Sequence, residues 1–423
     1  MTLRAFCAVP AVLAALATAP ASEALAAPKQ RPDLSRAASA ILIDSSDGSV
    51  IVAKSPRERR PMASTTKLMT ALLTLERTRP GQVLTASDYR PAAVESKIDL
   101  RPGERMRVSD LFEGLMLESA NDAAVTLAEG IAGSRQAFVS AMNARARALG
   151  LTDTSYGNPI GLDDSSTHTS ARDLAALARR LMAKPRFAAV VGRPTAILET
   201  GSRRRVVSNR NDLVGRYPYV KGVKTGHTRG AGYVLVGAAR NAAGAKVVSV
   251  VMGEPGESAR NADSLALLQY GLSRFKRRKV LDADVPVASA KVEYRDERAR
   301  LAPARDRLVL FERGEKARTR IDAPGRLGET PAGKRVGTIA VLRHGKVVER
   351  VPLVTVAAVP GAGPVRIVAH ELGPVLTVLL TLLGVCAIVL VVTRTRSRRR
   401  ERKQAERRRA QSRARAHAEG ASE

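Results

Sequence analysis

The 423-residue sequence predicts an α/β fold: an antiparallel sheet with flanking helices and a helical middle, then a small β-rich domain and one transmembrane helix. Three observations point there. Strand patterns near residues 39–53 and 219–252 bracket a long stretch of helical periodicity. Short strand-like pieces punctuated by Gly and Pro fill 281–359. Leu372 to Val392 then runs 21 residues without a charge, long enough to cross a bilayer.

In order, Met1 to Ala26 reads as a secretory signal peptide: an early Arg4, an apolar run from Phe6 to Ala17, and the small-x-small site Ala24-Leu25-Ala26. Ser39 to Asp44 and Ser49 to Ala53 flank Asp47-Gly48 and predict a β-hairpin. From Lys67 to Leu75 nearly every side is apolar or small, so a helix buried all round is expected, starting at Pro61 to Ser64 and ended by Arg79-Pro80-Gly81. Helical patterns follow at Asp110 to Leu117, Asp122 to Ile131 and Gln136 to Leu149, with a break at Glu118 to Asn121. Ser170 with Asp173 three residues on is a capping-box signal for a helix from Ala171 to Met182.

Tyr219 to Lys224 is expected as a strand ending at Thr225-Gly226, Gly232 to Ala239 and Lys246 to Met252 as a hairpin, and Asn261 to Lys276 as a helix. The expected organisation is a signal peptide (1–26), an α/β domain (37–280), a β-rich domain (281–359), a linker (360–371), a transmembrane helix (372–392) and a basic cytoplasmic tail (393–423).

The formal charge is +30, from 70 Lys and Arg against 40 Asp and Glu. Much of it is local: Arg394 to Glu423 holds 12 basic and 4 acidic residues, the pattern of a cytoplasmic stop-transfer segment. With no Trp and 3% aromatics there is no stacking platform for single strands, and no nucleic-acid partner is expected. Cys7 and Cys386 both fall in hydrophobic segments, and the five histidines lack ligand spacing, so neither disulfide, metal nor cofactor is expected.

The chemistry centres on Ser64-Thr65-Thr66-Lys67, which puts a hydroxyl and an amine one turn apart on one helix face. Alone, S-x-x-K arises about once or twice by chance in a chain this long; Ser273 to Lys276 is a second instance. Only the first is followed by Ser119-Ala120-Asn121 and by Lys224-Thr225-Gly226. A serine hydroxyl needs a base beside it to attack a carbonyl. Lys67 serves if neutral, and burial, the helix N-terminus and the Lys224 ammonium would all lower its pKa. Ser119, in a helix break, is suited to relay a proton to a leaving amine, and Asn121 to hold Lys67 and a substrate amide. Lys224 and Thr225 offer a cation and a hydroxyl to a carboxylate, while Gly226, without a β-carbon, lets a peptide lie along the strand.

S-x-x-K, S-D-N and K-T-G are the signature of class A β-lactamases and penicillin-binding proteins, and the three elements here resemble it in kind and order. Arg60 to Lys67, Asn158-Pro159-Ile160-Gly161-Leu162 and Gly222 to Thr228 narrow the resemblance to the D-alanyl-D-alanine carboxypeptidases of serine peptidase family S11. Gly337-Thr338-Ile339, Gly345-Lys346 and Val351 to Val354 resemble that family's C-terminal β domain, so the likeness spans about Ala37 to Val359. It implies a serine β-lactamase/transpeptidase-like fold, an acyl-enzyme on Ser64 formed with peptidoglycan stem peptides, and acylation by β-lactams. It further implies an oxyanion hole from the backbone N–H groups of Ser64 and His227, and carboxylate-holding roles near the site for Arg210 and Arg260. The full span and basic tail depart from relatives that end in an amphipathic helix on the membrane.

Transpeptidase and endopeptidase activities share this signature and stay open. A secreted β-lactamase is disfavoured, because no Glu-x-x-Leu-Asn lies between Ser119 and Lys224. A silent wall-binding scaffold would keep the basic charge without needing the three elements intact.

Overall fold

The computed structural model describes residues 30–419; the expected signal peptide lies outside the described residues. The chain divides into two units, one ending at Arg277 and taking in Glu312–Gly314, the other comprising Arg278–Phe311 and the chain from Glu315.

In the first unit, β1 (Ser39–Asp44) and β2 (Val50–Lys54) form the predicted hairpin, with Gly48 at φ +86° in its turn. A 3-10 turn, Ala63–Thr66, leads into α1 (Lys67–Arg77), buried from Lys67 to Thr74. Its apolar side chains join Leu111, Phe112 and Leu127 in one continuous core, so the absence of a polar stripe did mark an interior helix. A short hairpin, β3 (Val83–Thr85) with β4 (Arg105–Arg107), precedes α2 (Val108–Glu113), which begins two residues before Asp110. The turn Gly114–Glu118 that follows is π-helical and ends at Ser119, whose φ of +63° is left-handed. Then come α3 (Asn121–Ala132) and α4 (Arg135–Ala148).

α5 (Ala171–Met182) has the predicted bounds, and the Ser170 hydroxyl accepts the Asp173 amide at 3.2 Å. The return half of the capping box is not made. The Asp173 carboxylate instead takes the Asp153 amide at 2.8 Å and the Thr154 hydroxyl at 2.7 Å, tying the preceding loop to the helix start. α6 (Pro185–Val191), the hairpin β5 (Thr195–Leu198) and β6 (Arg205–Ser208), and a short α7 (Leu213–Arg216) lead to the late strands.

Those strands are β7 (Val220–Thr228), β8 (Gly232–Arg240) and β9 (Lys246–Glu254), which complete a five-stranded antiparallel sheet ordered β2-β1-β9-β8-β7. β7 is an edge strand, and it does not stop at Gly226. Pairing continues through Gly226↔Val234 and His227↔Tyr233 to Thr228↔Gly232, so Lys224-Thr225-Gly226 lies inside the strand. α8 (Glu257–Ser273) starts four residues before Asn261 and ends before Lys276. Phe275 and Leu281 are buried with exposed basic residues between them, the burial of an extended strand, β10 (Phe275–Leu281).

The second unit contains β11 (Ala288–Val292), β12 (Arg298–Pro303), β13 (Arg307–Glu312), β14 (Arg318–Asp322), β15 (Arg326–Leu327), β16 (Arg335–Arg343) and β17 (Lys346–Thr355). Six of these form a sheet ordered β14-β16-β17-β12-β11-β15 around Ile339, Val341, Val351 and Leu353. Within the expected linker, Pro364–Leu372 is helical (α9); Gly373, at φ +78°, separates it from α10 (Pro374–Glu419). Among the described residues α10 is the one helix long and apolar enough to cross a membrane.

Candidate active site

Along residues 63–74 every side chain is buried except Ser64, which is partly open. Its hydroxyl oxygen lies 3.0 Å from the Nζ of Lys67. Lys67 has no solvent exposure, and its Nζ also donates to the Ile160 carbonyl at 2.6 Å. Burial first, and the Lys224 charge second, hold the Lys67 pKa well below an ordinary lysine's, while Glu95 and Asp122 pull the other way. A neutral amine can donate one N–H to Ile160 and turn its lone pair to the Ser64 hydroxyl.

The Ile160 carbonyl is set by its own loop. Asn158 Oδ1 accepts the amides of Ile160 at 3.2 Å, Gly161 at 2.6 Å and Leu162 at 3.2 Å. Gly161 has φ +90°, and a β-carbon there would fall 2.0 Å from the Ala63 carbonyl oxygen, so no side chain fits. From below, the Thr70 hydroxyl donates to the Pro159 carbonyl at 2.8 Å.

Ser119 and Asn121 are 4% and 5% exposed at the junction of the π-helical turn and α3. Single π-helical turns within helices occur frequently at functional sites. Asn121 does not bond Lys67 as expected: its Nδ2 donates to Glu95 Oε2 at 2.6 Å and its backbone N–H to the Ser96 carbonyl at 2.8 Å. The hydrogen bonds of Lys67 go to Ser64 and Ile160 instead.

On β7, Lys224 is 2% exposed and Thr225 7%. Lys224 Nζ donates to the Thr225 carbonyl at 3.0 Å, and its pKa is pulled down to about 7 by burial and by the Arg210 and Arg260 guanidiniums. These two arginines are the positive charges that Lys224 feels most. Each has an acidic partner of its own: Arg210, half-exposed, pairs with Glu118, and buried Arg260 bonds Glu257 at 2.6 Å. The Arg260 guanidinium lies 5.9 Å from the Tyr233 ring centre, and Tyr233 stacks on the His227 ring at 4.0 Å.

The packing around Gly226 puts a further constraint on that position. A β-carbon there would stand 3.1 Å from the Ser64 amide nitrogen and 3.2 Å from the Met62 carbonyl oxygen, so the strand packs directly on the nucleophile's turn. Sequence reasoning missed Glu95 and the Ile160 carbonyl. Both belong to loops far from Lys67 along the chain, and Ile160 contributes a backbone atom that carries no residue-type signal.

The family model for D-alanyl-D-alanine carboxypeptidase, peptidase S11, matches residues 26–256. The chain belongs to that family. The D-alanyl-D-alanine carboxypeptidase DacF of Bacillus subtilis is 30% identical over 353 residues, 80% of this chain and 89% of that protein. DacD of Salmonella typhimurium is 31% identical over 366 residues, 82% of this chain and 92% of its own. Among solved structures, penicillin binding protein 5 from Haemophilus influenzae aligns with 79% of this carboxypeptidase-family chain and 99% of its own, at TM-score 0.58 and 28% identity. A serine-to-alanine mutant of the Streptomyces K15 DD-transpeptidase aligns with 57% of this chain and 100% of its own, at TM-score 0.55 and 29% identity.

Proposed function

We propose that this chain is a serine-type D-Ala-D-Ala carboxypeptidase that acts on peptidoglycan stem pentapeptides and is acylated by β-lactams. The observation that carries this reading is the 3.0 Å approach of a partly open serine hydroxyl to a fully buried, pKa-lowered lysine amine. Ser64 attacks the carbonyl of the penultimate D-Ala and its proton passes to Lys67. The backbone N–H groups of Ser64 and His227 receive the oxyanion, and removing such a donor typically costs roughly 10²- to 10³-fold in rate. Lys224 and Thr225 hold the terminal carboxylate, with Arg210 and Arg260 supporting the positive field around it. The C–N bond breaks as the leaving amine takes a proton relayed through Ser119. Water then cleaves the ester and regenerates Ser64.

The segment 1–26 exports the chain, α10 anchors it, and the Arg-rich tail keeps its end in the cytoplasm, leaving the catalytic unit outside. The likeness to the K15 DD-transpeptidase supports a second outcome on the same acyl-enzyme, an amine acceptor replacing water and giving a cross-link.

The test uses the full-length chain in detergent with a peptide ending in D-Ala-D-Ala and with labelled penicillin. Wild type should release D-Ala and take up one label, and Ser64→Ala neither. A label retained by Ser64→Ala, or no D-Ala released by wild type, would overturn the assignment. Mass spectrometry of products formed with an amine acceptor separates hydrolysis from transfer.

A further inference from the structure

Glu95 lies on the irregular segment between β3 and β4, outside all three catalytic sequence elements. Its Oε2 accepts from Asn121 Nδ2 at 2.6 Å and from the Tyr89 hydroxyl at 2.5 Å, and its Oε1 accepts the Ala92 amide at 3.0 Å. The next residue, Ser96, takes the backbone N–H of Asn121 at 2.8 Å, so two consecutive loop residues grip Asn121 by side chain and main chain. The Tyr89 ring in turn sits 5.9 Å from the Arg135 guanidinium. A carboxylate with three donors fixed around it is a built feature rather than a surface charge.

The charges facing Lys67 are Lys224 from β7, Glu95 from this loop and Asp122 from α3. Lys224 itself feels Arg210, Arg260 and Glu118. Asp122 spends its oxygens on the amides of Ile98, Leu100 and Ala123, and burial raises its pKa. Glu95 differs: against the cost of its partial burial, the bonds from Tyr89, Asn121 and Ala92 and the nearby Lys67 charge hold its pKa below the usual glutamate value. Glu95 is thus a carboxylate held by a fixed set of hydrogen bonds whose charge is felt at Lys67.

We propose that Glu95 is a positioning residue of the acylation centre. It fixes the carboxamide of Asn121, nitrogen toward the loop and oxygen away from it, and it supplies the counter-charge for the ammonium that Lys67 becomes on taking the Ser64 proton. The inference rests on Ser64 and Lys67 being nucleophile and base. No bond to Glu95 forms or breaks; the proton moves from Ser64 Oγ to Lys67 Nζ while Glu95 remains a carboxylate.

The test is the second-order rate of penicillin acylation of the full-length chain as a function of pH, for wild type, Glu95→Gln and Glu95→Asp. Gln keeps an acceptor for Asn121 but removes the charge. Because the carboxylate raises the Lys67 pKa, its loss should move the acid limb of the profile to lower pH. It should also lower the plateau, on the order of tenfold. Asp keeps the charge, so its limb should stay with wild type and part of the plateau should return. In Glu95→Ala, added formate should restore rate and formamide should not.

A Gln profile superimposable on wild type, or lowered at every pH with its limb unmoved, would overturn the proposal. So would equal rescue by formate and formamide. A wild-type chain that takes no label sinks the catalytic reading itself, whereas a labelled wild type with an unshifted Gln limb sinks only the role of Glu95.

Discussion

Gly226 and Ser64 meet at 3.1 Å, measured from the place a β-carbon on the first would occupy to the amide nitrogen of the second. The edge strand that carries Lys224 and the turn that carries the nucleophile therefore touch through a residue with no side chain. Gly226→Ala should force the two apart by a few tenths of an ångström. It should slow penicillin acylation roughly 10- to 100-fold, since small misplacements of a reacting pair are costly. The overpacking should lower stability by about 1–3 kcal/mol. Stopped-flow labelling and urea unfolding measure both, and an unchanged acylation rate would show that the contact does not set the site.

Burial and the Arg210 and Arg260 charges pull the Lys224 pKa down to about 7, so its positive charge is present below that pH and fades above it. Affinity for a peptide with a free terminal carboxylate should fall as pH rises through about 7, approaching tenfold per unit beyond it. The same peptide with an amidated end should lack that slope. Calorimetric titration of the Ser64→Ala variant with both peptides, from pH 6 to 9, reads the difference without turnover.

The depressed pKa of Lys224 is also a statement about stability. The folded value of about 7 lies below the ordinary 10.5, so between those limits the unfolded chain binds the extra proton. The penalty for a buried ammonium is full at and below about pH 7 and gone by about 10.5. Lys224→Met should therefore raise Tm by roughly a few degrees at pH 7, with the gain shrinking toward pH 10. Scanning calorimetry at several pH values checks the trend, and a gain that grows with pH would contradict the burial cost.

Asn158→Ala removes the acceptor shared by three consecutive amides and should cost about 1–3 kcal/mol. The loosened Ile160 carbonyl should also slow acylation at Ser64, although Asn158 is not among the groups that would touch a substrate. Melting curves and labelling rates on the same preparation separate the two effects.

The parts of this molecule readable in the sequence are those that local chemistry dictates. Asp47-Gly48 makes a hairpin turn, Ser170 caps α5, and an apolar stretch without a polar stripe makes an interior helix. Ser64, Lys67, Ser119, Asn121, Lys224 and Thr225 stand out by their order along the chain, and of these the structure pairs Ser64 with Lys67. What escaped was decided across the fold. β7 runs on past Gly226 because β8 continues to pair with it, and Asp173 turns to Asp153 and Thr154 because that loop returns beside α5. Glu95 reaches Asn121 from 26 residues away, a contact no local periodicity encodes.

The amine beside Ser64 is steadied by a main-chain oxygen 93 residues distant, on a loop that closes over its turn with no room for a methyl group. A cell under antibiotic pressure need not alter any side chain the drug contacts. Exchanges at 158–162 that tilt one peptide plane would blunt drug and natural substrate together, so loss of sensitivity by this route would carry its own burden on wall maturation.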